Sequence, residues 1–270
     1  MAGERTEVEK VTRELKAIYV IWLRDVLRFF REKPRIIGMI GQPLLYLLIM
    51  GNGLSATLRL HGAPPGFSYL EFMYPGIIGM SVLFTSVYSA ISIVWDREFG
   101  FLKEVLVAPV PRWAVAVGKA VGGSTISMLQ ATILLMIGPF LGIKLTAVTV
   151  LSLWCVLFII AFSLTSLGII IASRMESMEG FQMIMNFLVM PLFFLSGAMF
   201  PLRGVQPWME SLMRIDPLTY GVDAIRNIFF AQSPYREIMV QFSLATDLLV
   251  ISGMALVFIF LAAYSFSHAK

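Results

Sequence analysis

The sequence predicts an all-α membrane protein with six transmembrane helices, and three observations carry that prediction. Hydrophobic residues make up 58% of the 270 positions and charged residues only 14%. About six apolar runs approach the roughly 20 residues that cross a hydrocarbon core. Lys and Arg collect on one side of those runs. Soluble domains reach about 45–50% apolar even with glycine counted, whereas mean hydropathy here is +0.81. The same balance excludes intrinsic disorder, which needs low hydrophobicity and high charge. A single cysteine, Cys155, excludes an intrachain disulfide framework. The net charge of +4 would suggest nucleic acid in a soluble chain. In a membrane protein it bears on topology instead, and no nucleic-acid partner is expected.

Residues 1–35 form an N-terminal segment, residues 36–267 the membrane domain, and residues 268–270 a short tail. The predicted spans lie near 36–53, 72–95, 115–143, 148–172, 181–200 and 246–267. The first is interrupted by Gly38, Gly41, Pro43, Gly51 and Gly53, which a membrane helix tolerates where neighbours re-satisfy its backbone. An even number of spans places both termini on one side. Fifteen of the 21 Lys and Arg fall on that side, among them Arg24, Arg28, Arg35, Arg97, Lys103, Arg112, Lys119 and Arg174. The positive-inside rule makes it the cytoplasmic side. No small-residue cleavage site follows the first run, so the chain is expected to keep its N-terminus.

In the N-terminal segment Val11, Leu15, Ile18, Trp22, Val26 and Phe29 recur at spacings of three and four, with Arg13, Lys16, Arg24, Arg28 and Arg31 on other faces. This pattern predicts an amphipathic helix lying along the membrane surface, its cations among lipid headgroups and its Trp and Phe at the acyl boundary. A helix packed on a soluble partner is the alternative.

After the second span, Arg97, Glu98, Lys103 and Glu104 alternate with Phe99, Phe101, Leu102, Val105 and Leu106 before Pro109 and Pro111 stop the helix. A short amphipathic helix of this kind either docks into a groove of a soluble partner or rests on the bilayer as a connector. Between the fifth and sixth spans, Pro207 and Pro217 occupy first-turn positions of two short helices. Asp216 is an N-cap for the second, and Asp223 lies one turn before Arg226. On the outer side these helices, with Tyr220, form either a re-entrant lip or a packing hairpin.

Catalytic chemistry is scarce. His61 and His268 are the only histidines and are far apart in sequence, so no His-based metal centre is expected. Gly118-Lys119-Ala120 lacks the flanking residues of a phosphate-binding loop. Asp96, Glu71, Asp247, Glu176 and Glu179 all fall near predicted interfaces, away from the mid-membrane depth where proton-coupled transporters keep carboxylates. Driving energy is therefore expected from outside the chain. Within the spans, Gln42, Gln182 and Asn186 are candidate pathway-lining residues, although helix-to-helix hydrogen bonding accounts for such residues as well.

The stretch Glu98-Phe99-Gly100-Phe101-Leu102-Lys103-Glu104-Val105-Leu106-Val107-Ala108-Pro109-Val110-Pro111-Arg112 resembles the coupling segment of type-2 ATP-binding-cassette (ABC) exporter permeases. Leu195-Ser196-Gly197-Ala198-Met199-Phe200-Pro201, followed by Ile215-Asp216-Pro217-Leu218-Thr219-Tyr220, is similar to their C-terminal signature. The family includes drug-efflux (daunorubicin-type) and nodulation-factor export permeases, and the likeness covers nearly the whole chain. The resemblance implies a prokaryotic plasma-membrane homodimer with cytoplasmic termini. Each copy would engage a separate ATPase subunit, two in all, through Arg97, Glu98, Phe99, Phe101, Leu102, Glu104 and Leu106. It also implies no cofactor in this chain, ATP and Mg being bound by the ATPase, and re-entrant outer helices after the fifth span. The cargo would be an amphiphilic drug, a lipid or a lipid-linked glycan. The competing readings are a transporter or channel independent of ATP, and a membrane anchor for a partner protein.

Overall fold

A computed structural model describes residues 2–55, 69–99, 110–143, 145–200, 202, 204–234 and 236–268. The helices are α1 (Ala2–Arg31), α2 (Lys33–Ser55), α3 (Tyr69–Ser89), α4 (Ile91–Glu98), α5 (Arg112–Ile137), α6 (Ala147–Ala172), α7 (Met178–Leu195), α8 (Pro207–Ile215), α9 (Pro217–Phe229), α10 (Arg236–Met239) and α11 (Leu244–His268). A 3-10 turn, Gly138–Leu141, extends α5. The described residues contain no strand.

Five stretches are long and apolar enough to cross a membrane among the described residues: Tyr69–Glu98, Arg112–Leu141, Ala147–Ala172, Met178–Leu195 and Arg236–His268. They cover the second to sixth predicted spans. The first prediction, 36–53, falls on α2, a 23-residue helix that runs through Pro43. The second span is broken: α3 ends at Ser89, Ala90 makes a turn, and α4 carries the chain on to Glu98.

The Tyr69–Glu98 stretch is 78% enclosed, against 22% for α7 and for the last span. The centre of the bundle is therefore α3, which packs against α2, α5, α6, α7 and α9. Small and hydroxyl-bearing residues allow that approach. Ser86 of α3 meets Ser127 of α5 at 2.8 Å, and Ser124, Ser127 and Ser166 return their hydroxyls to carbonyls one turn back. These four hydroxyls are thus satisfied without water, as lipid surroundings demand. Gln130 of α5 donates to the Met39 carbonyl of α2 at 2.6 Å and accepts from Thr85 of α3, tying three helices. N-caps start the later helices: Thr146 accepts from Thr149 N, Ser177 from Gly180 N, Asp216 from Leu218 N and Ser243 from Thr246 N.

α1 departs from the sequence expectation in its contacts. Trp22 donates to Thr125 of α5 at 2.9 Å, Phe29 is buried, and Arg24 and Arg28 turn toward Asp96. The expected lipid-facing Trp and Phe, and two of the expected headgroup-facing arginines, therefore serve packing within the chain. The outward face consists of Val11, Leu15, Tyr19, Val20, Leu27 and Phe30. The cause lies on α5, where Gly118 and Gly122 leave a groove one turn long. A Cβ on Gly118 would stand 3.0 Å from Ile21 Cβ and 3.2 Å from the Ile18 carbonyl oxygen. Larger residues at these positions would push α1 away.

Candidate coupling site

Asp25 of α1, Ser92 and Asp96 of α4 and Lys119 of α5 meet at one end of the bundle. Lys119 Nζ lies 3.0 Å from Asp25 Oδ1, 2.9 Å from Asp96 Oδ2 and 3.1 Å from Ser92 Oγ. All three ionised groups are below one-tenth exposed. Arg24 forms a close ion pair with Asp96 Oδ1, and Arg28 Nη1 stands 3.9 Å from the same oxygen. The Arg28 guanidinium also lies over the Trp95 ring at 4.3 Å. Lys119 uses three donors on three acceptors, the full capacity of an ammonium. An ion-paired cluster of this kind gives little net stability compared with apolar packing, but removing one member leaves a buried charge unpaired.

Arg97, the next residue after Asp96, sends Nη1 to the Met175 carbonyl at 2.8 Å and Nη2 to the Ser173 carbonyl at 2.7 Å. It thereby satisfies acceptors at the C-terminal end of α6, where a cation is also favoured by the helix dipole. Arg112 Nη1 donates to the Ser267 carbonyl and Arg174 Nε to Ser265 Oγ, so α5, α6 and α11 are tied at the same end. Glu98 and Phe99 are exposed, with Phe99 set edge-on to Trp95 at 6.1 Å. Phe101, Leu102, Glu104 and Leu106 lie outside the described residues. Of the coupling residues named from sequence, the structure gives three, and Arg97 is an anchor within the chain.

The candidate lining residues partly converge. Asn186 of α7 accepts the Tyr88 hydroxyl, and Tyr88 and Gln42 line a cavity of about 360 Å³ beside α2 and α3. Gln182 is exposed on α7.

At the opposite end, both parts of the signature-like sequence come together. Ser196 ends α7 and Gly197 follows at φ +74°, the left-handed conformation that favours glycine. Arg226 of α9, buried at 2% exposure, gives Nη2 to the Gly197 carbonyl at 2.9 Å and lies over Phe72 at 4.4 Å. Thr219 donates to the Leu195 carbonyl at 3.3 Å. Gly76 of α3 permits the loop to approach: a Cβ there would stand 2.4 Å from the Ala198 carbonyl oxygen. Burial holds the Arg226 pKa down at about 10, against an upward pull from nearby Asp223, so it stays charged at neutral pH. Asp223 accepts the backbone N–H groups of Gln241 and Phe242. Asp223 and Arg226, expected as a same-face pair, thus each fasten a different loop.

Pro207 and Pro217 occupy the first turns of α8 and α9 as the sequence predicts. Asp216 caps α9 through Oδ1, while its Oδ2 is buried with no hydrogen-bond partner. Burial drives this carboxyl up to about 8, opposed by the bond from Leu218 N. Tyr220 donates to the Arg214 carbonyl and stacks on Phe242.

The Asp25–Asp96–Lys119 cluster went unread in the sequence because its members are scattered over 94 positions, and Lys119 counted there as a loop cation. A charged residue inside an apolar 26-residue helix was the available signal.

The sequence profile of the ABC-2 type transporter family matches residues 16–230. The chain is 30% identical to ycf38 of Cyanophora paradoxa, named a transport permease, over 80% of this chain and 74% of that one. It is 28% identical to the inner membrane transport permease YadH of Escherichia coli K12, over 78% of this chain and 81% of YadH. YbhR of the same strain, named a multidrug ABC transporter permease, is 27% identical over 61% of this chain and 45% of its own length. The chain is a multi-pass membrane permease and belongs to the ABC-2 type transporter family.

Proposed function

We propose that this chain is the membrane-spanning half of an ATP-driven exporter, with α2 as the first of six spans and both termini in the cytoplasm. The segment from Arg97 through Leu106 docks on a separate ATPase, which binds ATP and Mg²⁺. Two copies of the chain and two ATPase subunits enclose a path for an amphiphilic drug, lipid or lipid-linked glycan. The name of YbhR supports a drug-like cargo. Gln42, in the wall of the same cavity as Tyr88, and Asn186, which accepts the Tyr88 hydroxyl, lie on that path, with Gln182 on α7. The outward face of α1 rests in the headgroup layer. The exposed Trp208, Leu212 and Ile215 of α8 make the outer lip, while α9 is sunk against α3, α6 and α11.

The observation that supports coupling best is the anchoring at the root of the docking segment. Asp96 is held by Lys119 and Arg24, and Arg97 is held by the end of α6. A push on residues 97–106 therefore reaches α1, α5 and α6 together. Co-purification with the ATPase encoded nearest the chain tests this reading. The wild type is expected to form a complex whose ATP hydrolysis is lost with Leu102→Asp while membrane insertion persists. A folded chain that binds no ATPase, or full export by Leu102→Asp, would overturn it.

A further inference from the structure

Helices α5 and α6 meet closely at one level, where a Cβ on Gly123 of α5 would stand 2.6 Å from Thr165 Cγ2 of α6. Beyond that contact they enclose a groove of about 710 Å³, lined by Thr125, Met128, Thr132, Trp154, Cys155 and Phe158 among others. Trp22 of α1 reaches its deep end, donating to Thr125 Oγ1 at 2.9 Å. Thr125 and Thr132 lie about 18 and 8 Å before the end of α5 at Ile137. Ile159 and Leu151, also in the lining, lie about 18 and 6 Å after the start of α6 at Ala147. Both helices are spans, so the groove occupies the depth of one leaflet, about half of the roughly 30 Å hydrocarbon core.

The lining offers little to a polar ligand. Thr125 Oγ1 donates to the Val121 carbonyl at 2.8 Å and Thr132 Oγ1 to the Met128 carbonyl at 2.6 Å, so both hydroxyl protons are spent on their own helix. None of the lining residues is Lys, Arg, Asp, Glu or His. An apolar space of this kind does not hold water, and leaving it empty would forfeit the contacts of its walls. Its volume is that of a site for a sizeable organic ligand. The walls do not suit another helix. Close helix contacts in this chain use glycine, as at Gly118 and Gly122 for α1 and at Gly168 for α3. Met128, Trp154 and Phe158 instead hold a second helix axis at a distance and leave a slot for one flexible hydrocarbon chain.

We propose that this groove holds an acyl chain of a membrane phospholipid, entering from the leaflet at the α5–α6 turn and ending near Thr125 and Trp22. The lipid fills the seam between α5, which carries Lys119, and α6, whose terminal carbonyls hold Arg97. The proposal needs only that the chain spans a membrane and is independent of the exporter reading.

The test uses the full-length chain in phosphatidylcholine bilayers doped with a phosphatidylcholine that carries a photoreactive diazirine at mid-chain. After illumination, mass spectrometry locates the labelled residues. The exposed Leu249, Leu256 and Phe260 of α11 serve as the reference inside the same molecule. Label on residues 128–132 and 154–158 is expected to exceed that on α11 by about tenfold, as roughly ten further carbon contacts allow. Thr132→Phe fills the groove and should bring its label down to the α11 level, with α11 labelled as in the wild type. Equal labelling of groove and α11 in the wild type overturns the proposal without recourse to any variant. Groove labelling that Thr132→Phe leaves unchanged also overturns it. Cys155 is the only cysteine of the chain, so a disulfide-linked dimer formed under mild oxidation in the same bilayers would seat a second copy on the groove and overturn the lipid assignment.

Discussion

At one end of the bundle Lys119 is neutralised by side chains from two other helices; at the other, Arg226 is held by the Gly197 carbonyl and the face of Phe72. Both cations are almost completely buried. The first arrangement joins three separate elements, α1, α4 and α5, by groups that can exchange partners, since Arg24 and Arg28 also reach Asp96. The second fastens a loop through the backbone carbonyls of Gly197 and Ala198, with the Asp223 carboxylate nearby. Ionic clusters therefore suit a place where several helices must stay in register. Carbonyl capping suits a place where a turn must not move.

The largest effect is expected where no partner can substitute. Arg226→Ala removes the donor from the Gly197 carbonyl and leaves Asp223 without its neighbouring cation, at a cost of about 3–5 kcal/mol. Thermal unfolding of the purified protein in detergent measures it. A loss comparable to an ordinary surface substitution would remove the distinction between the two ends.

Lys119→Met should cost somewhat less, about 3 kcal/mol, because Arg24 and Arg28 continue to neutralise Asp96 while Asp25 is stranded. Adding Asp25→Asn to Lys119→Met should restore a good part of the loss, as a double-mutant cycle reports. Strictly additive losses would show that Lys119 is not coupled to Asp25.

The smallest effect is one of pH. Because Asp216 has a folded pKa near 8, above its usual value of 3.8, the folded state binds the extra proton between those limits. Its contribution to stability therefore falls as pH rises from about 4 to about 8 and is constant above. Asp216→Asn keeps the acceptor for Leu218 N without the charge, so its melting temperature should decline less from pH 5.5 to pH 8.5 than that of the wild type. Parallel declines in the two proteins would assign the pH dependence to other groups.

Much of the scaffold was legible from local signals. Apolar runs and their punctuation predict five of the helices that cross the bundle to within a few residues, as for 148–172 against α6 at Ala147–Ala172. Pro207, Pro217 and Asp216 mark the starts of α8 and α9 because first-turn prolines and N-caps act within four residues. The sites were legible only in part. Periodicity identified α1 as amphipathic, yet an apolar residue facing lipid and one facing a helix obey the same spacing, so the pattern could not reserve Trp22 and Phe29 for α5. Arg97 read as a docking charge because nothing in its neighbourhood discloses the carbonyls of Ser173 and Met175.

By itself the sequence determined that this chain lives in lipid, roughly where five of its spanning helices lie, and which family its motifs resemble. These follow from hydrophobicity and short-range chemistry, whose causes lie within a turn or two of each residue. Only the tertiary structure decided that Asp25, Asp96 and Lys119 share one site, that Arg226 closes the turn after α7, and that Tyr88 reaches Asn186 of α7. Those depend on which helix faces lie opposite each other. That choice is made by small residues such as Gly118, Gly122 and Gly76, which admit close approach without naming the partner.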